Sequence, residues 1–131
     1  MLDTNICIYI RQKKPASVLK RFEQLAVGDA VISAITHGEL LYGVEKSKDR
    51  APGLRRLSEL SSLLPVLALP ESAGQTYGAI RAALESSGER IGNNDLWIAA
   101  HAHAAGLILV TNNEREFNRL PELQIENWAR G

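Results

Sequence analysis

The sequence predicts an α/β fold, a short and mostly parallel central sheet flanked by helices. Short apolar runs alternate with longer stretches whose apolar residues recur at helical spacing, which is the pattern of βαβ units. One helical stretch, from Leu96 to Ala105, is apolar on nearly every side and feeds the continuous apolar run Leu107-Ile108-Leu109-Val110, so a buried helix leads into a buried strand. With 131 residues the chain forms a single domain, 1–131, large enough for a real core.

The elements follow in order. Met1-Leu2 is a very short apolar start that breaks into Asp3-Thr4-Asn5, and Ile6 to Ile10 continues apolar up to the polar end Arg11-Gln12-Lys13-Lys14. Pro15 suits the first turn of a helix, along which Val18, Leu19, Phe22 and Leu25 form one face. After the Gly28-Asp29 turn, Ala30 to Ser33 reads as a strand, and a helix begins near Ser33 or Ala34. Lys46 to Gly53 reads as a loop or a helix break, followed by a helical stripe at Leu54, Leu57, Leu60 and Leu64 that Pro65 stops. Val66 to Leu69 is a strand. Pro70-Glu71-Ser72 starts a helix with Ala73, Tyr77, Ile80 and Leu84 on its buried face, ending at Ser87-Gly88. Asn93 or Asn94 is expected to cap the next helix with its side-chain oxygen, which places Asp95 in the first turn, where the helix dipole favours a negative charge. Gly106 ends that helix, and Leu123 to Ile125 forms a last edge strand.

Composition narrows the function. Fifteen basic and fifteen acidic residues cancel, which excludes non-specific coating of nucleic acid by bulk charge. The single cysteine, Cys7, excludes a disulfide framework and a cysteine zinc cluster and suits a reducing cytoplasm. No apolar run approaches the roughly 20 residues of a membrane span, and Met1-Leu2-Asp3 lacks the features of a signal peptide.

Phosphate-binding glycine loops, a GxGxxG motif and a GxSxG elbow are absent from the sequence. Cys7 sits among apolar residues and reads as a packing residue. His101 and His103 stand two apart on a helix, about 200° from one another, and cannot share one zinc ion. His37 reads as a surface or supporting residue. Acids remain. In parallel sheets, sites form beyond the carboxyl ends of the strands. That rule gathers Asp3 and the Thr111–Glu116 turn, and packing adds Asp95. Glu39 lies on the arc of Ile35 and Tyr42 rather than opposite it, and an acid on a packing side requires a partner. Carboxylates with asparagine, and without Cys or His, suit a hard ion such as Mg²⁺ or Mn²⁺.

These residues carry a family resemblance. Met1-Leu2-Asp3-Thr4-Asn5, Ser33-Ala34-Ile35-Thr36 leading to Glu39, Ile91-Gly92-Asn93-Asn94-Asp95 with Ile98-Ala99-Ala100, and Val110-Thr111-Asn112-Asn113 with Glu116-Phe117 resemble a PIN-domain ribonuclease. More narrowly they resemble the VapC-type toxins of bacterial toxin–antitoxin pairs. The resemblance spans essentially the whole chain with the motifs in the family's order. It implies a PIN-like fold and Mg²⁺- or Mn²⁺-dependent cleavage of RNA, plausibly tRNA or another translation-related RNA, by a toxin held by a cognate antitoxin. Asp3, Glu39 and Asp95 match the family's first three acids, with Asp3 and Asp95 holding the metal. A further Asp common in the wider family is replaced here by Asn113, and Glu116 is the expected substitute ahead of Glu114. Thr4, Asn5, Thr111 and Asn113 match supporting or substrate-orienting positions.

Other expectations concern surfaces. Arg11, Lys13, Lys14, Lys46, Lys48 and Arg90 are candidates to meet an RNA backbone, each with an alternative reading as a plain solvated charge. Helices bearing Leu54, Leu57, Leu60, Tyr77 and Ile80 offer more apolar surface than a thin sheet covers, which suggests a homodimer, with packing of these residues on the sheet alone as the alternative. Two rival functions stand beside the nuclease. One is a catalytically inactive PIN-like RNA- or protein-binding module, disfavoured because all three principal acids are present. The other is an aspartyl-nucleophile phosphatase at Asp3, disfavoured because Asn5 stands where a second Asp belongs.

Overall fold

The structure, a computed structural model, describes residues 1–130. In chain order the elements are α1 (Thr4–Gln12), α2 (Ala16–Glu23), β1 (Ile32–Ser33), α3 (Ala34–Glu45), α4 (Arg50–Leu63), β2 (Val66–Leu67), α5 (Glu71–Ser86), α6 (Asn93–Ala104), β3 (Leu109–Val110), α7 (Glu114–Phe117) and β4 (Ile125–Glu126). The expected α/β alternation is present. β1 pairs with β2 and β3 with β4, both parallel. The N-terminal residues lie between these pairs. Leu2 N–H donates to Val31 O at 2.9 Å on one side, while Val110 N–H donates to Met1 O and Asp3 N–H to Val110 O, both at 2.8 Å, on the other. The lateral order is therefore β2, β1, residues 1–3, β3, β4.

Alternation along these short strands explains why both faces are covered. Leu2, Ile32 and Val110 belong to one core cluster, with α1, α2, α4 and the far half of α3. Their chain neighbours Met1 and Leu109 belong to the other, with α5, α6 and α7. Successive side chains of a strand point to opposite faces, so the central strands supply both cores. Each fully buried aliphatic side chain contributes on the order of 1.5–3 kcal/mol, and Leu2, Ile6, Ile32, Leu64, Ile98 and Leu109 all reach 1 % exposure or less.

Several local expectations are corrected. The N-cap of α6 is Gly92, with no side-chain cap bond. Asn93 and Asn94 are the first helical residues, and their amides are drawn sideways, to the Tyr77 hydroxyl and to Glu39. Residues 46–53 are not all loop, because α4 already begins at Arg50. Pro52 falls within its first turn, where a missing N–H costs nothing. Gly53 lies against α3, and a Cβ there would meet Val44 Cγ1 at 3.3 Å. The strand after α6 starts at Leu109 rather than Leu107. Gly106, at φ +68°, closes a Schellman cap in which Leu107 N–H donates back to Ala102 O at 2.8 Å, so that group is spent on the helix. The last strand is Ile125–Glu126, slightly later than expected. The apolar stripe cited for a dimer is largely used internally: Leu57 and Leu60 are buried, and Leu54, Tyr77 and Ile80 pack against the two cores. Among the described residues no helix is long and apolar enough to cross a membrane.

Candidate functional site

Asp3 terminates the N-terminal strand and caps α1. Its Oδ1 accepts from Thr4 N–H at 2.8 Å, and its Oδ2 accepts from Thr111 Oγ1 at 2.9 Å. Only 4 % of it is exposed. Thr111 follows β3 directly, so the two central strands deliver Asp3 and its hydroxyl donor side by side. The same hydroxyl accepts from Asn113 N–H at 2.9 Å, which folds the turn back toward the sheet. Asn113 Nδ2 then donates to Glu116 Oε2 at 3.0 Å.

Glu39 arrives from α3, whose first residue follows β1 without a loop. Its Oε1 accepts from Thr4 Oγ1 at 2.6 Å and its Oε2 from Asn94 Nδ2 at 3.4 Å. The buried side of α3 runs through Thr36, Leu40 and Val44, and Tyr42 is 66 % exposed. Glu39 therefore sits at the rim of the packed face rather than on it, which corrects the helical-wheel reading while leaving its expected partner in place.

Asp95 occupies the first turn of α6 and is half-buried. Its carboxyl is pushed up to about 7, by burial first, then by the charges of Asp3, Glu116 and Glu39, and by a hydrogen bond with Glu116. Asp3 is also pushed above the ordinary carboxylate range. Burial is the main cause, the bonds from Thr111 and Thr4 act against it, and Glu39 and Glu116 add to it. Four carboxylates from four separate stretches of chain thus repel one another at the carboxyl end of the sheet. Like charges held together in a partly desolvated place favour the protonated form.

Glu114 faces away. It accepts from Asn127 Nδ2 at 3.0 Å and pairs with Arg130 at 2.7 Å. Thr4 and Asn113 each hold one of the acids, and Asn5 lies exposed in the first turn of α1. Lys13, Lys14, Lys46, Lys48 and Arg90 are exposed and Arg11 is half-buried. Cys7 is fully buried and its thiol is pushed up to about 12, mainly by burial, so it stays a neutral packing group. Two further residues of the motifs join the site, in contacts that their spacing alone does not predict. Asn94 reaches Glu39, and Thr36 Oγ1 lies 3.4 Å from Thr4 Oγ1. The doubled asparagine was visible, but its direction depends on α3 lying alongside. Volume does not point to this chemistry. A cavity of about 580 Å³ between α5, α6 and residues 119–123 is lined by none of the four acids.

Among the described residues no three Asp, Glu, His or Cys side chains converge tightly enough to enclose an ion unaided. The donor set is oxygen only, from carboxylates, hydroxyls and amides.

The PIN domain family model matches residues 1–123. Ribonuclease VapC2 of Haemophilus influenzae is 44% identical over 129 residues, covering 98% of this chain and 97% of the relative. The tRNA(fMet)-specific endonuclease VapC of Shigella flexneri is 45% identical over 129 residues, with the same coverage of 98% and 97%. The structure of VapBC2 from Rickettsia felis bound to a DNA fragment from their promoter superposes with a TM-score of 0.91 at 44% identity, covering 98% of this chain and 97% of that one. A family match over nearly the full length, joined to identities of this size, means that the chain belongs to the PIN-domain family and, within it, to the VapC ribonucleases.

Proposed function

We propose that this chain is a metal-dependent endoribonuclease toxin, acting in the cytoplasm and held inactive by a cognate antitoxin. The observation that carries the reading is the convergence of Asp3, Glu39, Asp95 and Glu116, with Asp3 and Asp95 pushed toward protonation by burial and by the other acids. Such a cluster is costly in the free protein, and a cation relieves the cost. The oxygen-only donors suit Mg²⁺ or Mn²⁺. The lack of a closed cage suits an ion that rests on one or two carboxylates and several waters.

Asp3 and Asp95 would hold the ion, with Glu39 and Glu116 completing the anionic surround. When bound, Mg²⁺ or Mn²⁺ supplies water activation and charge stabilisation at phosphorus. The chain supplies orientation. Thr111 fixes one oxygen of Asp3 and the Thr4 amide the other, so this carboxylate has little freedom left. Thr4 Oγ1 and Asn94 hold the two oxygens of Glu39, and Asn113 holds Glu116. Asp95, pushed up to about 7, gives up its proton near neutral pH, and that loss adds one negative charge to the site.

The substrate reading is a tRNA or another translation-related RNA, supported by the tRNA(fMet)-specific name of the Shigella flexneri relative. The partner reading is supported by the VapBC complex that the fold matches. A homodimer is part of the same proposal. Its apolar surface would come from side chains left exposed, such as Val27, Tyr42 and Leu63, rather than from Leu57 and Leu60. The test is cleavage of total RNA by the purified protein, with end sequencing, in Mg²⁺, in Mn²⁺ and in excess chelator. Discrete ends that need the metal support the reading, and intact RNA in both metals overturns it.

A further inference from the structure

His101 stands out as the one polar side chain in the buried run Leu96 to Ala102, apart from half-buried Trp97. It is 1 % exposed, and the proposed chemistry makes no use of it. Its Nδ1 lies 2.8 Å from Ser33 Oγ, and Ser33 is 0 % exposed. Ser33 is also the N-cap of α3, where its Oγ accepts from Ile35 N–H at 3.1 Å. A serine oxygen that already accepts from a cap amide has its own O–H left to donate, and a neutral imidazole nitrogen can take it. Burial, and after it the Met1 ammonium, push the His101 pKa down, in keeping with that neutral form.

The position of this bond gives it a use. Asn94, Ile98, His101 and Ala105 share one face of α6 by helical spacing. The two polar residues among them are both tied to the α3 segment, His101 to Ser33 and Asn94 to Glu39. The Asn94 contact is long, 3.4 Å, and exposed. A bond that stretched fixes little. The His101 contact is short and shut away from competing water, where an unmet donor would cost about 1–3 kcal/mol.

We propose that His101 is a positioning residue: its buried bond to Ser33 sets the register of α3 along α6, and so the approach of Glu39 to Asp95. The inference rests on the nuclease reading for its kinetic consequence only. His101→Leu keeps bulk and removes the bond. His101→Asn places an amide atom near the position of Nδ1 and can restore it. Ser33→Ala removes the bond from the other side, together with the cap.

The experiment measures RNA cleavage by folded wild type, His101→Leu, His101→Asn, Ser33→Ala and the Ser33→Ala/His101→Leu double variant, with folded fraction checked by circular dichroism. The carboxyl ¹³C resonances of Glu39 and Asp95 are recorded on the same metal-free samples. His101→Leu should lower kcat by about 10- to 100-fold, as small misplacements of reacting groups do, with KM little changed. His101→Asn should stay within about threefold of wild type, and the double variant should lose little more than the worse single one, because both remove one bond. The Glu39 and Asp95 resonances should move in His101→Leu and Ser33→Ala and hold in His101→Asn. If His101→Leu does not fold, Ser33→Ala and His101→Asn carry the same comparison. Wild-type kcat in the folded variants that lack the bond, or unmoved carboxyl resonances, overturns the proposal. If wild type cleaves no RNA, the nuclease reading falls, and the resonances alone decide the register.

Discussion

Thr111 Oγ1 donates to Asp3 Oδ2 at 2.9 Å across 108 residues of chain. This bond joins the ends of two adjacent parallel strands and holds the most buried of the four acids. The same oxygen accepts from Asn113 N–H, so one hydroxyl governs both Asp3 and the turn leading to Glu116. Thr111→Val keeps the shape and deletes the hydroxyl, leaving an Asp3 oxygen and the Asn113 amide without it. Stability should fall by about 1–3 kcal/mol, the cost of stranding such buried groups. Thr111→Ser should recover most of the loss. Urea unfolding of the three proteins checks this, and a Val variant as stable as wild type would show that the bond does not hold the site together.

Asp95 separates folding from chemistry. It lies in the first turn of α6 but does not cap it. Asp95→Asn gives up the helix-dipole contribution, on the order of 1 kcal/mol or less, and relieves repulsion from Asp3, Glu116 and Glu39. The metal-free variant should therefore melt at or above the wild-type temperature and still bind antitoxin. Cleavage in Mg²⁺ or Mn²⁺ should fall by at least the roughly 100-fold that losing a group supporting a metal ligand can cost. Melting and cleavage are measured on one preparation. Full cleavage would remove Asp95 from the site, and an unfolded variant would make it structural.

What could be read from sequence follows the range of the forces involved. The strands announce themselves because Leu2, Ile32, Leu109 and Val110 must be apolar to be buried on both faces, and Asp3 and Thr111 follow from where those strands end. A cap at Asn93 or Asn94 is what a local rule predicts, because it sees only their own helix. Tyr77 and Glu39, which claim their amides, lie on other helices. The early start of α4 was hidden by Pro52-Gly53, which resemble a breaker until Gly53 is seen packed on Val44. Sequence offers His101 only a metal-ligand reading, since nothing near it in the chain names Ser33, 68 residues away, as its partner.

The pKa shifts set a pH dependence for the metal-free protein. Asp95 titrates at about 7 in the fold against an ordinary value of 3.8, so the folded state binds its proton more tightly than the unfolded state does. The stabilisation this provides is fully present below about pH 4 and is lost as pH rises through about 7. Asp3 is shifted in the same direction. In chelator, this site should thus make the melting temperature fall between pH 5 and pH 8, and Asp95→Asn should flatten that slope. Mg²⁺ or Mn²⁺ should raise the melting temperature more at pH 8 than at pH 5, because cation and proton compete for the same oxygens. A wild-type slope unchanged by Asp95→Asn would show that other groups govern the pH response.

Glu114 and Glu116 stand two residues apart on a single short turn of helix, and their surroundings assign them different work. Glu116 is held by Asn113 and its charge reaches both Asp3 and Asp95. Glu114 is occupied by Asn127 and Arg130. Its pair with Arg130, whose side chain is 77% exposed, should be worth no more than about 1 kcal/mol, as surface ion pairs usually are. Glu116→Gln preserves the hydrogen bond to Asn113 in form but removes a charge from the acid cluster. Metal affinity and cleavage should fall by about tenfold or more, and the metal-free fold should become slightly more stable. Glu114→Gln should leave cleavage within about twofold and alter stability only slightly. Calorimetric Mn²⁺ titration with cleavage assays on both variants distinguishes the two acids. The reverse pattern, a silent Glu116→Gln and a disabled Glu114→Gln, would mean that the turn rearranges when metal or RNA binds and that Glu114 swings in from Arg130.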